Sequence, residues 1–151
     1  MEGPARSPKT LASGQGKKFQ ILAEMGLLKL SGDETGGAYA ILEGHTPPQA
    51  GPPPHRHSRE DESFYVLEGE YEFVVGGQTI HAPAGTFLFG PRGVAHSFKN
   101  VGTTPARILI VAQPAGVEKF LEEISELASA GAPDLDKVIA LAARYGIEIL
   151  V

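Results

Sequence analysis

The sequence predicts a mainly β domain, an antiparallel sandwich or barrel, followed by a short helical extension of the same unit. Short strand-like runs recur from Phe19 to Ala112. They are punctuated by many of the chain's 19 glycines and 12 prolines, the residues that turns between strands demand. Past residue 114 the apolar residues change from strand alternation to helical spacing. At 151 residues the chain has the length of one domain with a sizeable core.

Residues 1–16 are rich in Gly, Ser, Pro and Lys and read as a flexible leader. The β domain spans 17–114. Its first runs are Phe19–Ala23, Leu27–Leu30 and Ala38–Glu43, separated by glycine-bearing turns. Glu62–Glu68 is rich in residues that suit strands. Tyr71–Val75 and Gln78–His81 flank Gly76-Gly77, a hairpin signal because glycine accepts the positive φ of tight turns. Thr86–Phe89, Ala95–Lys99 and Arg107–Ala112 complete the set. The extension, 115–151, begins with Val117, Phe120, Leu121, Ile124, Leu127 and Ala128 on one helical stripe, with Glu118, Lys119, Glu122, Glu123 and Glu126 between them. After Gly131 and Pro133 a second helix carries Leu135, Val138, Ile139, Ala142 and Tyr145. The final Ile-Glu-Ile-Leu-Val is apolar enough to need a partner surface.

Thirteen basic against eighteen acidic residues give a net charge of -5, which excludes a nucleic-acid groove as the expected partner surface. With no cysteine there is no disulfide, thiolate ligand or thiol nucleophile. No apolar run follows the basic residues of the N-terminus, and no segment approaches the length of a membrane span. A soluble cytoplasmic protein with no membrane contact is the expectation.

The chemistry concentrates between Gly51 and Asn100. One block runs His55-Arg56-His57, four residues, Glu62, six residues, Gly69. A second runs Gly85, five residues, Pro91-Arg92-Gly93, two residues, His96, three residues, Asn100. Residues two apart on a strand share a face, so His55 and His57 can share an ion. The prolines at 52–54 favour an extended entry to the pair. The turn after His57 returns a carboxylate beside the imidazoles, and Glu60, Asp61 and Glu62 all stand there. Imidazole and carboxylate suit a divalent transition metal, among Fe, Mn, Co, Ni, Cu or Zn.

Alternation places Phe64 and Val66 on the face of Glu62 and Phe98 on that of His96, a candidate substrate pocket. Either Phe87 and Phe89 or Thr86 and Leu88 join them. Such an apolar wall suits an aromatic or enolic small molecule better than a phosphosugar, which would want inward Arg or Lys. His45 and His81 are candidate donors behind the ligands. Tyr65 and Tyr71 are candidate proton donors.

Both blocks resemble the two motifs of the cupin superfamily. The second matches from Gly85 to Asn100 and the first from His55 to Gly69. Upstream, Gln49 stands where the family usually has glycine. The resemblance implies an antiparallel jelly-roll barrel over 17–114 with metal ligands His55, His57, Glu62 and His96. The chain further resembles small quercetin-dioxygenase-like cupins, which carry the same ligand set and a helical tail. That implies a metal-dependent dioxygenase, an oxidoreductase in which Glu62 is also the catalytic base taking an enol proton. Such cupins commonly form homodimers through sheet extension and outer barrel faces. Two other readings stand beside it: a non-catalytic small-molecule-binding cupin, and a metal-dependent isomerase or lyase acting on a sugar or small acid.

Overall fold

In chain order the strands are β1 (Lys17–Ile21), β2 (Glu24–Leu30), β3 (Ala40–Thr46), β4 (His55–His57), β5 (Asp61–Glu68), β6 (Glu70–Val75), β7 (Gln78–Pro83), β8 (Phe87–Gly90), β9 (His96–Asn100), β10 (Ala106–Gln113) and β11 (Ile147–Ile149). The helices are α1 (Gly32–Thr35), α2 (Val117–Ser129) and α3 (Leu135–Arg144). This computed structural model describes residues 6–150. Residues 1–5 of the expected leader lie outside the described residues. Residues 6–16 form no strand or helix. They are tied down at Lys9 Nζ, 2.8 Å from Glu34 Oε1, and at the Gln15 carbonyl, which accepts from Lys29 Nζ at 2.5 Å.

Two antiparallel sheets face each other, ordered β1-β2-β3-β10-β5-β8 and β11-β4-β9-β6-β7. The early strands thus belong to the same sheet as β5. Alternation drives the burial: Phe64 and Val66 of β5, Tyr71 and Phe73 of β6, Phe98 of β9 and Ile108 of β10 all point inward and form the barrel core. The hairpin turn is Gly76-Gly77, at φ 56° and 81°, with Val75 opposite Gln78.

The helical face expected to need a partner finds it within the chain. Val117, Phe120 and Ile124 of α2 and Val138, Leu141 and Ala142 of α3 join Phe19, Leu28, Leu42 and Ile147 in a second core. The apolar end of the chain finds its partner surface in the five-stranded sheet, where β11 pairs with β4. Glu118 lies between the apolar positions of α2 yet does not face water. It is fully buried because its carboxylate accepts from the backbone N–H of Gly32 and Gly116, joining α1 to the start of α2. α1 itself closes on a Ser31/Glu34 capping box. Among the described residues no helix is long and apolar enough to cross a membrane.

Candidate metal centre

Four segments converge at one end of the barrel. β4 meets β9 in register at His55 and His96, placing those rings side by side with centroids 4.5 Å apart. His57, two residues on, shares the inward face. Glu62 opens the inward side of β5 on the opposite sheet. The turn between β8 and β9 is held against β4 by Gly93 N–H donating to the His57 carbonyl at 2.7 Å. On the far side β11 pairs with β4 at three positions, Ile147, Glu148 and Ile149. The ligand-bearing strand is therefore held on both edges.

The entry turn explains the Gln49 departure. Gln49 itself takes the left-handed conformation, φ 65°, that a glycine would adopt most easily. Gly51 supplies the close approach, since a Cβ there would collide with the Phe98 carbonyl oxygen.

One ligand-type atom from each of His55, His57, Glu62 and His96 lies within 4.8 Å of the others. His57, Glu62 and His96 are 4%, 6% and 3% exposed, and His55 is half-buried. Each ring is anchored through Nδ1. His55 donates to the Pro53 carbonyl at 2.8 Å, His96 to the Val94 carbonyl at 3.3 Å, and His57 to Glu60 Oε1 at 2.5 Å. A carbonyl or carboxylate oxygen only accepts, so Nδ1 carries the proton and Nε2 is the nitrogen left for the centre.

That end of the rings has unmet demand. His57 Nε2 and His96 Nε2 are buried with no hydrogen-bond partner. His57 Nε2 sits 2.6 Å from Glu62 Oε1, while His96 Nε2 is 3.8 Å from Glu62 Oε2, beyond hydrogen-bond reach. Buried polar atoms pointing at a common space, without pairing to each other, fit co-ligands of one ion.

Without an ion, a proton must relieve the contact between His57 and Glu62. Burial alone would lower the His57 pKa, but Glu62 and Glu60 on either side push it up to about 10. Burial alone would raise Glu62, but His57 foremost, then His96 and His55, bring it down to about 2. Burial lowers His55 to about 4, and lowers His96 as well.

The three carboxylates of the turn have separate places. Glu62 joins the imidazoles, Glu60 lies behind His57, and Asp61 faces out, where Arg92 binds it through Nε and Nη2, both at 3.2 Å. Glu60 is the participant that sequence reasoning missed. Its only signal is its place three residues after His57 across a tight turn.

Phe64 stands edge-on to His96 at 5.6 Å, and Phe64, Val66 and Phe98 are buried together in the barrel core. The open choice on β8 resolves toward Leu88, which is buried, while Phe87 and Phe89 face outward. His45 lies on the outer face, 3.2 Å from Glu43, and His81 is exposed, so neither backs the ligands. Tyr71 OH is hydrogen-bonded to Thr46 Oγ1 at 2.8 Å in the buried core. Tyr65 is exposed.

Comparison with known proteins agrees with this architecture. A family model described as a cupin domain matches residues 42–112. An uncharacterized protein of Streptomyces coelicolor is 30% identical over 103 residues, which cover 68% of this chain and 85% of that one. Quercetin 2,3-dioxygenase of Bacillus subtilis is 27% identical over 92 residues, 61% of this chain but only 27% of that enzyme's length. Among solved structures, a predicted oxalate decarboxylase of Thermotoga maritima superimposes with a TM-score of 0.66 at 24% identity, over 70% of this chain and 99% of that one.

Proposed function

The chain belongs to the cupin superfamily, and we propose that it is a metal-dependent enzyme of dioxygenase type acting on a small enolic or aromatic substrate. The observation that carries this is the cluster of three imidazoles, each anchored through Nδ1, with one carboxylate that meets His57 Nε2 and His96 Nε2, beside the Phe64 ring. A divalent transition ion held there supplies Lewis acidity and, where redox-active, oxygen chemistry.

In this reading His55, His57, His96 and Glu62 hold the ion. Glu62 presents one oxygen toward His57 and the other toward His96. Glu62 would be both a holder of the ion and the group placed to accept an enol proton from a substrate bound beside it. In the metal-free chain the charged His57 makes Glu62 a weak base. A carboxylate on a cation is likewise held acidic, so the base role requires the apolar wall around Glu62, with Phe64 beside the ligands, to oppose that shift. Phe64 beside His96 helps exclude water. Arg56, between the two β4 histidines, and Arg92 are paired with Glu148 and Asp61, so neither guanidinium stands ready for a phosphate, which favours an enol over a phosphosugar.

The test is oxygen uptake by chain loaded separately with Fe, Mn, Co, Ni, Cu or Zn, given a panel of enols and flavonols. Substrate-dependent uptake that Glu62→Gln abolishes supports the reading. Anaerobic turnover of a sugar or small acid would replace it with an isomerase or lyase. Saturable ligand binding without turnover would replace it with a binding protein.

We propose also that the chain is a homodimer. On the outer face of the six-stranded sheet Tyr65 and Phe87 are ladder partners with Phe89 beside them, 45%, 61% and 52% exposed. These aromatics leave roughly 300 Å² of apolar surface, toward the ~800 Å² per partner of a stable interface. β8 is the edge of that sheet. A second copy of the chain covers the patch most simply, through a twofold that brings the same face of each protomer together.

A further inference from the structure

Glu60 is buried at 3% exposed, yet it is not among the four clustered ligand-type residues. Its Oε1 accepts from His57 Nδ1 at 2.5 Å. His55 and His96 show that a backbone carbonyl is enough to anchor a ring and set its tautomer. A buried carboxylate costs several kcal/mol of desolvation that a carbonyl does not. Tautomer control alone therefore leaves Glu60 unexplained. Charge accounts for the difference. Three neutral imidazoles and Glu62 around a divalent ion carry a net charge of about +1, and Glu60 brings the buried group to about zero.

Resting on the proposed metal centre, we propose that Glu60 is its positioning and charge-balancing residue: it orients His57 through Nδ1 and supplies the second negative charge that neutralises a buried divalent ion. Two consequences follow. His57 becomes the strongest donor of the three imidazoles, because its Nδ1–H leans on an anion. The loaded centre also resists extra anions, since a neutral group attracts them less than a cationic one does.

The test compares wild type, Glu60→Gln and Glu60→Ala. Glutamine preserves a side-chain oxygen that accepts from Nδ1–H but removes the charge. All three are expected to take up one ion per chain. Affinity for Co(II), read by chelator competition, should fall about 10- to 100-fold in Glu60→Gln. Azide affinity of the Co(II)-loaded protein, read from its visible spectrum, should move the other way and rise on the order of tenfold. Loss of packing alone would not tighten anion binding. Unchanged Co(II) and azide affinities in Glu60→Gln would overturn the proposal.

Failure of the wild-type chain to bind any metal would instead defeat the metal-centre reading. The anchoring then has its own readout in the metal-free chain. A low-field His57 Nδ1 proton resonance is expected in wild type and lost in Glu60→Ala, and its absence from wild type would overturn the anchoring.

Discussion

Loading the metal-free chain with one divalent ion at pH 7 is expected to release one proton per ion, and that proton comes from His57. The count follows from the site. His57 is held protonated, with its pKa pushed up to about 10 between Glu62 and Glu60. Glu62 is already ionised, near 2. His55, near 4, and His96, also lowered by burial, are already neutral. Only His57 must lose a proton to offer its Nε2 lone pair. The count should stay near one up to about pH 9 and rise in acid, as His55 takes up a proton near pH 4. Isothermal titration calorimetry in buffers of different ionisation heat gives the number as a slope. A count of zero would mean that Glu60 and Glu62 do not hold a proton on His57. A count of two at pH 7 would mean that a second imidazole is charged despite its burial. The same groups set the sign of pH effects on the metal-free fold. The His57 contribution is fully present below its unfolded pKa of about 6.5 and is lost as pH rises through about 10. The Glu62 contribution is present above its unfolded value near 4.5 and is lost as pH falls through about 2.

His57→Ala and Glu62→Gln should lower metal content sharply by elemental analysis, while Asp61→Asn, whose carboxylate faces Arg92, leaves it near wild type; equal losses in all three would show that the wrong carboxylate is assigned. Phe64→Ala, which removes a ring packed against Phe73, Phe98 and His96, should cost about 3–5 kcal/mol in denaturant unfolding. A loss under about 1 kcal/mol would place Phe64 outside the packed core. Deleting residues 147–151 strips β4 of its β11 partner and should weaken metal affinity, read by chelator competition, in chain that keeps its far-UV circular dichroism; unchanged affinity would show that β4 is aligned by β9 alone. Light scattering should give twice the 15.9 kDa chain mass, and Phe87→Ser with Phe89→Ser should shift it toward monomer; a monomeric wild type at high concentration rules the dimer out.

What the sequence determines by itself here is local. His55 and His57 share a face, and Phe64 and Val66 follow Glu62 inward, because strand alternation has a period of two and needs no knowledge of the partner strand. The Gly76-Gly77 hairpin and the inward stripe of α2 are legible for the same reason. On α3 the stripe is only partly so, since Leu135 is exposed and Leu141 is buried. The ligand spacing is a property of the chain as well. Tertiary structure decides whatever depends on who lies across. Short β8 has no ligand to mark its inward face, so only its pairing with β5 turns Leu88 in and Phe87 out. The final Ile-Glu-Ile becomes a strand because β4 offers it an open edge. Glu60, Asp61 and Glu62 are chemically alike and adjacent, yet one anchors a histidine, one meets Arg92 and one joins the cluster. Glu118, which helical spacing would place toward water, is buried by two N–H donors that belong to other segments. A carboxylate's role depends on which donors surround it in space, and no periodicity in the chain encodes that.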